Sequence, residues 1–218
     1  MQDQPNEPQR AGDNSKGKDR HDHIAHKGPC ECYVKLYWVP VGGTSVTDLL
    51  DFIANLLIDN PGGKTIYHSA LRVQFEEGGE CKQYVIELTE TAESPPERRR
   101  VGETVEHNIF GPFDYTIRLF RNGQIEDEAH ATQPIELTTD CGIASNIAKL
   151  VEAEDVPDLG YGDKVGTRSG ATDRWTSNSV VSWLLQRTGL NPGGIFPPSG
   201  GIAPGWDAGS TYAWEHFP

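Results

Sequence analysis

Apolar positions along the chain change their spacing several times, and each change marks an element. Cys32 to Val41, CYVKLYWVPV, is β-branched and aromatic and stops at Pro40 and Gly42-Gly43, which predicts a strand. The next segment changes period: Leu49, Leu50, Phe52, Ile53, Leu56 and Leu57 follow Thr47 at helical spacing, and Asn60-Pro61-Gly62 ends the helix they predict. Two alternating runs then flank Gly78-Gly79, the mark of a β-hairpin. Centring the turn there pairs Val73 with Tyr84, Leu71 with Ile86 and Ser69 with Leu88. One face then carries Leu71, Val73, Phe75, Tyr84, Ile86 and Leu88, and the other His68, Ala70, Arg72, Val85, Glu87 and Thr89. A slip by one residue would destroy the apolar face, which holds the register.

Further along, FDYTIRLFRNGQIEDEAH predicts a strand with a turn at Asn122-Gly123, and TTDCGIASNIAKLVEAED a helix capped by Thr139 or Asp140. DRWTSNSVVSWLLQRTGL, Asp173 to Leu190, runs from small polar residues into an apolar helix that stops at Gly189. The Pro/Gly-rich end carries Trp206 and Trp214. Its breakers predict irregular chain packed across the surface. Strands and helices are mixed without βαβ alternation, so the fold class is α+β, an antiparallel sheet packed against helices. The expected organisation is a polar tail over 1–28, a domain over 29–190 and a C-terminal extension over 191–218 packed on it.

Charge narrows the partners. The net charge of −13 over 218 residues argues against nucleic acid, which needs a basic face. The run Arg98-Arg99-Arg100 reads as solvated loop. No apolar run is long enough for a membrane span, and there is no classical secretory signal, leaving a cytoplasmic or non-classically exported chain. Four cysteines in a chain of this length do not make a disulfide framework; buried thiols are expected. His21, His23, His26, Cys30 and Cys32 lie close enough for zinc, but in no closed zinc spacing, and no metal or cofactor is assigned.

The chemistry concentrates in two places. His68 opens the first strand of the hairpin, opposite Thr89 in the inferred register, with Glu87 as its diagonal neighbour on the same face. A carboxylate there would fix the imidazole tautomer. Far along the chain, Ser177 and Ser179 stand where a helix opens. Either hydroxyl could be only an N-cap, contributing about 1 kcal/mol. A histidine early in a hairpin, followed by a small polar residue opening an apolar helix, resembles the circularly permuted papain-like superfamily. That group includes NlpC-type cell-wall peptidases, lecithin:retinol acyltransferase-like enzymes and deubiquitinase-like peptidases. Its members show an Asn-Cys pair with hydrophobic residues three positions later and a turn beyond. With Ser177 at the Cys position, Val180, Val181, Leu184 and Leu185 fill those places. With Ser179 there, the offsets meet Ser182, Trp183, Gln186 and Arg187, which are not expected to line a core.

The sequence departs from the pattern in carrying Ser177 for the thiol and Thr176 for the preceding Asn. The resemblance implies a permuted papain-like hydrolase or acyltransferase acting on an amide or ester, such as a peptidoglycan peptide. Ser177 would be the nucleophile, His68 the general base and then acid, and Glu87 the orienting carboxylate. Amides at the helix start around Asn178 would supply an oxyanion site, facing a peptide or acyl-type substrate in a groove. The alternatives are an inactive relative that lost its Cys and binds through that groove, and a metal-dependent module built on the N-terminal His/Cys tract.

Overall fold

A computed structural model describes residues 29–41, 64–90, 106–109, 115–121, 123–125, 128–153, 156–157, 159 and 163–217. The predicted tail 1–28, the helix after Thr47 and the Arg98–Arg100 run lie outside them. The fold is α+β: a six-stranded sheet in the order β4-β5-β3-β2-β1-β6 and a two-stranded ribbon β7-β8. The strands are β1 (Tyr33–Pro40), β2 (Tyr67–Glu77), β3 (Glu80–Glu90), β4 (Glu106–Ile109), β5 (Tyr115–Arg121), β6 (Ile135–Thr138), β7 (Lys164–Gly166) and β8 (Thr172–Arg174). The α-helices among the described residues are α1 (Cys141–Glu152), α2 (Ser177–Arg187) and α3 (Trp206–His216). All strand pairs of the large sheet are antiparallel.

β2 and β3 join at Gly78 and Gly79, with φ of 64° and 82°, the left-handed pair that a two-residue hairpin turn demands. The register matches the alternation: Leu71 faces Ile86 and Val73 faces Tyr84. One sheet face carries Val34, Leu36, Trp38, Leu71, Val73 and Ile86 against the helices, forming the main core. The other gathers Tyr37, Val39, Ala70, Val85 and Ile125 into a smaller cluster. α1 is capped by Asp140, whose side chain accepts from the amides of Gly142 and Ile143, satisfying two of the orphan donors at a helix start.

Three expectations are corrected. The cysteines are paired, Cys30–Cys81 and Cys32–Cys141, across 51 and 109 residues of sequence. Antiparallel pairing of β1 with β2 sets the start of β1 beside the end of the hairpin arm, and β6 leads α1 to the same edge. Count and spacing could not show this convergence. Cys30 and Cys32 are thus not free thiolates for a zinc ion; His21, His23 and His26 lie outside the described residues.

The C-terminal stretch contains regular structure. Its breakers concentrate before Trp206, in two 3₁₀ turns over Pro192–Gly194 and Pro198–Gly200, and α3 follows from an N-cap at Gly205. Trp206, Ala208 and Ala213 enter the main core, so this segment completes the domain. The third correction concerns α2, whose residues Ser177 to Leu185 are all buried, Ser182 and Trp183 included. α3 covers the side of α2 that the sheet leaves open. Gly209 makes that approach possible, because a Cβ there would overlap the Ser179 carbonyl and the Ser182 hydroxyl.

Candidate active site

α2 is capped by Thr176, whose hydroxyl accepts from the Asn178 amide at 3.2 Å. Ser179 completes a capping box by accepting from the Thr176 amide at 2.9 Å, and it hydrogen-bonds the Gly205 carbonyl at 2.8 Å. The capping work therefore falls on Thr176 and Ser179. Ser177, the first helical residue, is left with its hydroxyl free for another partner.

That partner is His68. Ser177 Oγ lies 2.9 Å from His68 Nδ1, across 109 residues of sequence. The strand side of the contact follows from a change of neighbours along β2. Its ladder with β3 runs from Glu77↔Glu80 to Leu71↔Ile86. Nearer its start, β2 pairs instead with the C-terminal segment, in a parallel bridge between Ile66 and Ile202. The Ile202 amide donates to the Thr65 carbonyl at 2.9 Å and the Tyr67 amide to the Ile202 carbonyl at 2.8 Å. β3 continues along β5 up to Glu90. β2 and β3 thus part below Leu71, and the beginning of α2 meets β2 at that end, beside His68.

The divergence changes the expected surroundings of the imidazole. The ladder that would set His68 opposite Thr89, with Glu87 as diagonal neighbour, stops before reaching them. Glu87 is 3 % exposed and sits opposite Arg118 in the β3–β5 register. Desolvation is what moves His68: half-buried on β2, the ring has its pKa lowered from 6.5 to about 4. A carboxylate against the ring would push the other way. At neutral pH the imidazole is uncharged, and with its proton on Nε2 it accepts the Ser177 hydroxyl hydrogen at Nδ1. That is the arrangement a general base needs.

The helix start also holds a donor. The Asn178 amide is committed to Thr176, and the Ser179 amide to the Thr176 carbonyl at 3.0 Å. The Ser177 amide makes no hydrogen bond among the described residues. Ser177 is 7 % exposed and Asn178 2 %. No group of three or more metal-ligating side chains occurs among the described residues, and no described helix is long and apolar enough to cross a membrane.

Sequence reasoning packed the C-terminal segment on the domain but did not give its hydrogen bonds to the start of α2. Pro204 and Gly205 supply carbonyls to Thr176, Asn178 and Ser179, and the Gly205 amide donates to Asp173 Oδ2 at 3.0 Å. The glycines of GGIAPGWDAG were the available signal. Gly205 holds φ of 78°, and a Cβ there would strike Ser179, Arg174 and Thr176. Compared with models of protein families, with curated proteins and with solved structures, the chain matches none.

Proposed function

We propose that this chain is a permuted papain-like hydrolase or acyltransferase acting on an ester or amide, with Ser177 as nucleophile and His68 as general base, then general acid. The observation that carries the reading is the 2.9 Å contact between Ser177 Oγ and the Nδ1 of a histidine kept neutral by burial. In the forward step Ser177 Oγ attacks the carbonyl carbon while its proton passes to Nδ1. The tetrahedral oxyanion turns toward the Ser177 N–H at the positive end of α2. The imidazolium then protonates the departing alkoxide or amine, leaving an acyl-serine for water or a second nucleophile. A peptide crosslink of a bacterial cell wall is one substrate of this class.

An alcohol needs more help than a thiol to lose its proton, so activated esters are expected to react before amides. Glu87 lies off the β2–β3 ladder that would have set it diagonal to His68, so its orienting role is tested separately: an unchanged rate in Glu87→Gln would remove it. The second reading, a binding protein on the same scaffold, is favoured by the slight exposure of Ser177. Hydrolysis of p-nitrophenyl esters separates the two. The enzyme reading expects turnover that Ser177→Ala and His68→Ala both abolish; hydrolysis equal in wild type and Ser177→Ala favours the binding protein.

A further inference from the structure

The parallel bridge beside His68 breaks off in a way that its chemistry explains. With Ile202 donating to Thr65 and accepting from Tyr67, the next rung of a parallel ladder would run from the amide of residue 204 to the Tyr67 carbonyl. Residue 204 is proline and has no N–H to give. The Tyr67 carbonyl accepts instead from Asn178 Nδ2 at 2.9 Å, and the same nitrogen donates to the Pro204 carbonyl at 3.0 Å. One carboxamide thus stands in for the missing backbone rung and ties together both strands of the bridge.

This substitute rung comes from α2, from the residue next to Ser177, and it reaches the residue next to His68. The two residues of the contact are each one peptide away from the tie. Meanwhile Asn178 Oδ1 is buried and has no hydrogen-bond partner among the described residues. A buried acceptor left unpaired works against folding, so what favours an amide here is its two donated bonds. Thr176 reinforces the junction, its hydroxyl donating to the same Pro204 carbonyl at 2.6 Å.

We propose that Asn178 is the positioning residue of this site: its side chain replaces the rung that Pro204 cannot form and holds Ser177 in register with His68. The consequence for catalysis rests on the proposed function; the geometric claim does not. The pair Asn178–Pro204 allows a test that separates positioning from plain stability. In Asn178→Ala combined with Pro204→Ala, residue 204 regains an N–H for the Tyr67 carbonyl, so the ladder is completed without the carboxamide, while the Thr176 and Ser179 bonds to the segment stay in place.

The measurement is the ¹⁵N resonance of His68 Nδ1 in wild type, Ser177→Ala, Asn178→Ala and the double variant, with urea midpoints alongside. Expected is a double variant whose midpoint recovers relative to Asn178→Ala but whose Nδ1 resonance has moved to the Ser177→Ala position, the contact being lost. A double variant with the Nδ1 resonance of wild type overturns the proposal, because the contact then survives without the carboxamide. Should Asn178→Ala alone fail to fold, the double variant with its restored rung still gives the decisive resonance. Ester turnover in wild type is read separately. Its absence would count against the enzyme reading and leave the resonance comparison intact.

Discussion

Acidification acts on this fold through His68 in a direction and over a range that can be worked out. An unfolded chain binds a proton at this residue near pH 6.5, whereas the folded protein resists doing so until about pH 4. Between those values the unfolded state holds more protons, so stability falls as pH falls and is recovered above 6.5. The gap between 6.5 and about 4, at roughly 1.4 kcal/mol per pH unit, amounts to about 3 kcal/mol. That is a large share of the roughly 5–15 kcal/mol that holds a domain together. Asp173 works in the opposite sense. Burial raises its carboxyl pKa, so acid relieves a cost there. Subtraction isolates the histidine: urea unfolding of wild type and His68→Gln, from about pH 7.5 down to about pH 4, gives a stability difference at each pH. That difference should shift against the wild type by about 3 kcal/mol across the window. A difference constant with pH would refute the reasoning, since it would mean that His68 titrates as an unburied imidazole does.

Other perturbations read other parts of the structure. Gly209→Ala forces a methyl group onto the Ser179 carbonyl at the α2–α3 contact and should cost about 1–3 kcal/mol in urea unfolding; a neutral result would contradict that packing. Removing the Cys32–Cys141 bond as the double Ala variant opens a link across 109 residues and should cost about 4–5 kcal/mol on chain entropy, read as a fall in melting temperature. Asp140→Ala strips the α1 amides of their acceptor and should cost about 1 kcal/mol, seen in the same unfolding assay.

Local patterns in the sequence resolve the hairpin well. Alternation along β2 and β3 and the Gly78-Gly79 turn fix which residues face the helices, because a slip would expose every apolar side chain at once. Val180, Val181, Leu184 and Leu185 are buried as the α2 stripe implies, but so are Ser182 and Trp183, so the stripe does not by itself separate Ser177 from Ser179. What stayed hidden depends on contacts distant in sequence. β6, β7 and β8 are strands of three or four residues, too short for a period to register. α3 hides behind the breakers that precede it, and its contact with α2 buries Ser182 and Trp183, which no stripe on α2 alone could foretell. At the site, the histidine and serine were readable from chain order. The neighbours of His68 were not, because Ile202 takes the place beside β2 that a continuous hairpin would give to β3.

The central claim is that the Ser177 hydroxyl is activated by His68. Intact-protein mass spectrometry after treatment with a serine-directed fluorophosphonate, followed by peptide mapping, tests it most directly. A single adduct on Ser177 is expected, one that disappears in His68→Ala and whose rate falls as pH drops toward about 4, where the imidazole takes up its proton. An unlabelled Ser177 in the folded wild-type protein at neutral pH, or labelling equally fast without His68, would contradict it.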